Sequence, residues 1–144
     1  MTSPRGRAAL AGALAAAVWA AAEPVAQRVF ATPYSDVRAL GRPFSRRHWR
    51  LAGTAVHLAN GAAAGIAFER LGLRGWKAGV VAFEAETIAT WPLMALVDRF
   101  HPDSRSGAWP PFLRNGRVFA QEVAVHALFG ASLGSLAPRP PANS

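Results

Sequence analysis

Residues 51–68 read LAGTAVHLANGAAAGIAF, eighteen positions without a single Lys, Arg, Asp or Glu, closed by Arg50 on one side and by Glu69 and Arg70 on the other. A helix rises about 1.5 Å per residue, so about 20 such residues reach across the hydrocarbon core of a bilayer. In hydrocarbon an open strand leaves its backbone groups unpaired, whereas a helix satisfies them internally. The stretch therefore predicts a membrane helix. Its Gly61 and Gly65 form a GxxxG pair, the spacing that lets two helix backbones approach.

Working outward, the same pattern of an apolar run bounded by Arg, Pro and Ser recurs at residues 8–30, 76–97 and 118–137. The fold class expected is an all-α, four-transmembrane-helix bundle integral to a membrane. A chain of 144 residues and 15.2 kDa has room for one domain, taken as 1–144. Residues 1–22 imitate a secretory signal, with Arg5 and Arg7 ahead of an Ala-rich run ending at Ala20 to Ala22. The run continues through Glu23 and Pro24 to Phe30, so a retained first helix is expected.

Between the spans, residues 31–50 combine Pro33, Gly41 and Pro43 with Tyr34, Phe44 and Trp49, an ordered loop at headgroup level. Residues 72–75 form a turn short enough to make the second and third spans antiparallel neighbours. Residues 98–117 contain Pro102, Pro110 and Pro111 and are not helical throughout. The tail 138–144, rich in proline, reads as disordered.

Sixteen Lys and Arg against eight Asp and Glu give a net charge of +8. The arginines flank apolar runs, where they meet lipid phosphates, and this excludes nucleic acid as a partner and names the lipid bilayer instead. Dilution by these connectors explains a mean hydropathy of only +0.14. The basic residues divide too evenly between the two sides to set an orientation, and self-association into a homo-oligomer is left open. The absence of cysteine removes disulfides, thiolate metal sites and cysteine nucleophiles.

Five of the eight acids, Glu23, Glu69, Glu84, Glu86 and Glu122, lie inside or at the edges of the apolar runs. Glu69 pairs with Arg70 at the interface. The others need company, because an ionised carboxylate in a bilayer costs several kcal/mol unless it faces the bundle interior, pairs or stays protonated. Glu23 is five residues from Arg28, His57 seven and Asn60 ten from Arg50, Glu122 five and His126 nine from Arg117, which puts them at similar depth. His57 with Asn60, and Glu122 with His126, each share a helix face. Glu84 shares a face with Thr87 and is assigned to the interior, while Glu86, about 200° around from Glu84, is left unassigned. Pro92 is expected to kink the third span beside the cluster.

The expected polar site is thus Glu23, His57, Asn60, Glu84, Thr87, Glu122 and His126. Three kinds of chemistry fit it: hydrogen bonds that fix helix packing, a proton or small-solute pathway with Glu and His as relays, and a metal or haem site built on His57, Glu122 and His126. No nucleophile motif, phosphate loop or HExxH appears, so an enzyme is not the reading taken, and no cofactor is predicted.

The ordered set of Trp19 with Glu23 and Pro24, His57-x-x-Asn60, Trp91-Pro92-Leu93-Met94 and Glu122-x-x-x-His126 resembles the YagU-like bacterial inner-membrane proteins over residues 10 to 135. The resemblance implies a small multi-pass inner-membrane protein linked to survival of acid stress, with no established enzyme activity or cofactor. The chain departs from that family in a shorter first connector and in Thr87, where the family's third helix has a histidine.

Overall fold

The computed structural model describes residues 3–137, and the tail expected to be disordered at 138–144 lies outside them. Helix α1, Pro4–Phe30, starts where the Ser3 hydroxyl accepts from the Gly6 N–H at 3.1 Å and Pro4 occupies the first turn. It runs through Pro24 and ends where Ala31 turns left-handed at φ 50°, returning its own N–H and that of Thr32 to the Arg28 and Gln27 carbonyls. The first connector folds rather than dangles. It carries a short helix α2, Asp36–Gly41, capped by the Ser35 hydroxyl.

Helix α3, Trp49–Arg70, and helix α4, Gly75–Thr90, are joined by four residues whose reversal uses Gly72 at φ 68°. Pro92 cannot donate into the helix, and the chain tightens into a 3-10 turn at Trp91–Leu93 before α5, Met94–Phe100, as the sequence led one to expect. A short α6, Pro102–Arg105, precedes α7, Gly116–Leu136, whose first N–H groups are taken by the Asn115 side chain.

Three stretches are long and apolar enough to cross a membrane: Pro4–Phe30, Trp49–Arg70 and Gly75–Phe100. The fourth expected span, α7, does not join them among the described residues, because Gln121, Glu122 and His126 interrupt its apolar run. Gly75–Phe100 is apolar yet has only 6% of its apolar window buried, and Val81, Ile88, Leu93, Leu96 and Phe100 point outward. An apolar surface of this extent marks contact with a membrane or a partner.

The helices pack antiparallel in the spatial order α3, α1, α7, α4. Glycine seams hold the outer pairs. A Cβ placed on Gly12 of α1 would stand 1.9 Å from the Gly61 carbonyl oxygen of α3, and one on Gly79 of α4 would stand 1.9 Å from the Gly130 carbonyl oxygen of α7. Gly61 and Gly65 both face α1, so the GxxxG pair read from the sequence does bring two backbones together. A third seam, Gly41 against Gly53, lays α2 on α3. Helices α3 and α4, although joined by the turn, do not pack along their length. The bundle is an open array with a groove on one side.

Candidate functional site

That groove deepens into a cavity of about 500 Å³. Its floor comes from α1 and α7, its two walls from α3 and α4, and its roof from Tyr34, Asp36 and Leu40 of the folded first connector. Asn60 and Glu86, both exposed, flank the mouth between α3 and α4. The α4 wall is Phe83, Glu86, Thr87 and Thr90, an i, i+3, i+4, i+7 face.

Trp19 stands at the centre. Its indole meets the His57 ring edge-on at 5.0 Å between centroids and the His126 ring at 4.4 Å, so the two histidines share the cavity with an indole between them. His57 is buried and has an acceptor at each nitrogen: Asp36 Oδ2 lies 2.7 Å from Nδ1, and the Ala16 carbonyl oxygen lies 3.1 Å from Nε2. A carbonyl only accepts, and an ionised carboxylate only accepts. With both bonds made, the Asp36–His57 pair holds a proton beyond the one a neutral imidazole carries. His126 repeats the arrangement more loosely, with the Glu122 backbone oxygen 2.8 Å from Nδ1 and Glu86 Oε2 3.5 Å from Nε2.

Asp36 reaches the cavity through a chain of contacts that begins on α1. Glu23 is buried and accepts from the Ser35 hydroxyl at 3.0 Å and from the Asp36 N–H. Ser35 in turn accepts from the Arg38 N–H at 3.0 Å and caps α2. A contact between the Thr32 hydroxyl and Gln121 ties the same segment to α7. Tyr34 completes the roof, its hydroxyl 3.3 Å from Asp36 Oδ1. Burial pushes that phenol well above its ordinary range, the charges of Glu122 and Asp36 add to the effect, and Tyr34 remains a neutral donor.

Four of the seven residues expected at the site, His57, Thr87, Glu122 and His126, line the cavity well inside it, and Asn60 lines it only at the mouth, with no hydrogen bond among the described residues. Glu23 sits behind the wall, against the connector. Glu84 does not line the cavity, and Glu86, on the opposite side of the helix, takes the place assigned to it. Asp36 was not expected at all. The signal available for it was Ser35 followed by Asp36 and Arg38, a helix start that implies a folded connector. The Thr87 hydroxyl donates to the Phe83 carbonyl at 2.8 Å, which commits its proton to its own helix.

The metal alternative loses its geometry. Among the described residues no group of three or more His, Asp or Glu converges as ligands, and Trp19 keeps His57 apart from the Glu122 and His126 pair. One carboxyl in the cavity is left over. Glu122 is buried to 5% exposure, its Oε1 has no hydrogen-bond partner, and its Oε2 comes no nearer to the His126 Nδ1 than 3.8 Å. Compared with family models, with curated proteins and with solved structures, the chain matches none of them.

Proposed function

We propose that this chain is a four-span bacterial inner-membrane protein that handles protons, with or without a small solute, through the cavity between α3 and α4. The single observation that carries the reading is His57, whose two nitrogens both face acceptors and which therefore shares an exchangeable proton with Asp36 at the roof of the cavity. His126 with Glu86 supplies a second such pair across the indole of Trp19. Intramembrane ionisable groups that face a cavity and pair with one another are the usual parts of proton pathways.

Support for α7 as a fourth span lies in which way its polar residues face. Gln121 and Glu122 are buried, and His126 lines the cavity with most of its side chain covered. On the other faces of α7, Ala124 is exposed and Val123, Ala127 and Leu128 are half-buried, all of them apolar. The 21 residues of α7 lie antiparallel to both α1 and α4, which spans the same thickness. The resemblance to YagU-like proteins, carried by the ordered set of Trp19 with Glu23 and Pro24, His57-x-x-Asn60, Trp91-Pro92-Leu93-Met94 and Glu122-x-x-x-His126, adds a role in survival of acid stress.

The test uses the purified chain in liposomes with a pH-sensitive dye trapped inside. On acidification of the bath, the wild type is expected to acidify the lumen at least about tenfold faster than protein-free liposomes, and His57→Gln is expected to return the rate to background, since an amide does not exchange a proton near neutral pH. Equal rates for the wild type and empty liposomes overturn the reading.

A further inference from the structure

The charge around the cavity is one-sided. Asp36, Glu86 and Glu122 face it together with two imidazoles, and among the described residues no Lys or Arg side chain lines it. With all three carboxyls ionised and both histidines protonated, one negative charge is left over. The leftover carboxyl is identifiable. Asp36 has His57 and Tyr34, and Glu86 has His126 at 3.5 Å and the solvent at the mouth, whereas Glu122 is buried with its Oε1 unpartnered and its Oε2 no nearer than 3.8 Å to His126 Nδ1. A buried carboxyl deprived of donors costs at least about 1–3 kcal/mol, so a fold that keeps one at a cavity wall implies a partner from outside the chain.

The remaining surface defines that partner further. Trp19, Tyr34, Phe83 and Phe129 line the cavity, and aromatic rings attract cations. A volume of about 500 Å³ lies within the range of small-molecule sites. The mouth opens sideways between two helices whose outer surfaces are apolar, with Val81 and Ile88 exposed on α4 and Leu51 on α3. A ligand that enters there arrives from the hydrocarbon. It must be lipophilic, and the unpaired carboxyl demands that it be positive.

We infer that the cavity binds a small lipophilic organic cation, an amine or a quaternary onium with apolar substituents, whose charge rests on Glu122 and whose body lies against Trp19. The inference deepens the proposed function by naming the solute class of the same cavity, and its entry route rests on that reading. Anionic amphiphiles meet three carboxyls and, among the described residues, no Lys or Arg in the lining to receive them. A bare metal ion finds no converging ligand set among the described residues.

The experiment compares two ions of the same shape and opposite charge, tetraphenylphosphonium and tetraphenylborate, by equilibrium dialysis against the full chain in nonionic detergent at one mildly alkaline pH. Saturable binding of the phosphonium at one per chain is expected, at least about tenfold tighter than the borate. Glu122→Gln should weaken it about tenfold or more, Glu86→Gln at the exposed mouth about threefold, and Glu69→Gln, outside the cavity lining, not at all. A measurement without any variant covers misfolding: a hydrophobic carbodiimide should label Glu122, mapped by mass spectrometry, and the phosphonium but not the borate should protect it. Equal binding of the two ions, wild-type affinity in a folded Glu122→Gln, or labelling of Glu122 unaffected by the phosphonium each overturn the inference. Lumen acidification in the liposome experiment without phosphonium binding removes this inference alone. Phosphonium binding without acidification removes the proton reading and keeps the cation site.

Discussion

The molecule contains two clusters in which histidine, carboxylate and tryptophan meet, and they are built to opposite rules. In the connector before α7, Asp103 is 1% exposed and fully engaged: Arg38 holds it with two bonds, of 2.8 and 3.0 Å, and Arg42 adds a third at 3.2 Å. His101 beside it has one tautomer, since its Nδ1 accepts from the Asp103 N–H at 3.2 Å and its Nε2 must then donate to the Ala39 carbonyl, and its ring stacks on Trp109 at 12°. Among the buried side-chain atoms of the described residues there, the Trp109 Nε1–H and the Ser104 hydroxyl lack partners. In the cavity the histidines have acceptors on both sides, a carboxyl has no donor, and space remains. A closed network with fixed protons stabilises a fold, whereas an open one with exchangeable protons is of use only to something that arrives.

The contrast is testable from its strongest term downward. Asp103→Ala strands two guanidinium groups beside a buried site, and breaking such a pair costs about 3 kcal/mol, at the low end of the usual range because Arg38 and Arg42 keep partial contact with water. Thermal unfolding in detergent should show it, and an unchanged midpoint would mean that the closed cluster is ornamental.

Acid should act on the same cluster next. Burial pushes the His101 imidazole below its ordinary value of 6.5, outweighing the pull of the Asp103 charge. A depressed folded value means stability that is present above 6.5 and is lost as pH falls below it, toward the folded value. His101→Gln should flatten the melting profile over that interval, and a slope that survives the substitution assigns the effect elsewhere. Asp103 behaves differently at lower pH. Burial raises its carboxyl, but the bonds from Arg38 and Arg42 more than offset this and hold it below 3.8, so its contribution fades only as pH falls through that region.

Smaller still is the effect at Ala31, where α1 hands over to the segment carrying Tyr34 and Asp36. Its left-handed backbone disfavours any Cβ, and Ala31→Gly should stabilise the chain by up to about 1 kcal/mol. A lower melting midpoint would contradict the conformation. The least change is expected from Glu122→Gln, within about 0.5 kcal/mol of wild type, because there is no hydrogen bond to lose. A large drop there would make the open cluster as structural as the closed one and erase the distinction.

What the sequence made legible follows from what periodicity and depth can encode. The helix ends, the turn at 71–74, the break at Pro92 and the close approach at Gly61 and Gly65 all follow from local chemistry. Counting residues from the arginine boundaries put His57, Glu122 and His126 at one level, and they do meet in one cavity. Facing was harder on α4. Thr87 belongs both to the Glu84, Thr87, Trp91 face and to the Phe83, Glu86, Thr87, Thr90 face, and with an apolar surface nearly all round no polar stripe decides between them. Asp36 was hidden for another reason. Its position in a connector gives no depth, and it takes tertiary contacts, the bonds to Glu23 and His57 among them, to fold the connector back over the bundle. The closed Asp103 cluster depends on residues 61 and 65 positions apart in the chain, a separation that no local pattern records.

The open seam between α3 and α4 also bears on how the chain is made. Cut at Gly72, it falls into two helix pairs, α1 with α3 and α4 with α7, each knit by its own glycines and joined by α1 on α7 and by the bonds of Arg38 and Arg42 to Asp103. A ribosome releases them in that order. The first pair emerges with Trp19, Asp36 and His57 already assembled on one wall, and the second brings Glu86, Glu122 and His126 to meet it. The half-molecules expressed from separate genes should therefore find one another in the same membrane, and the cavity would then belong to neither product but to their encounter.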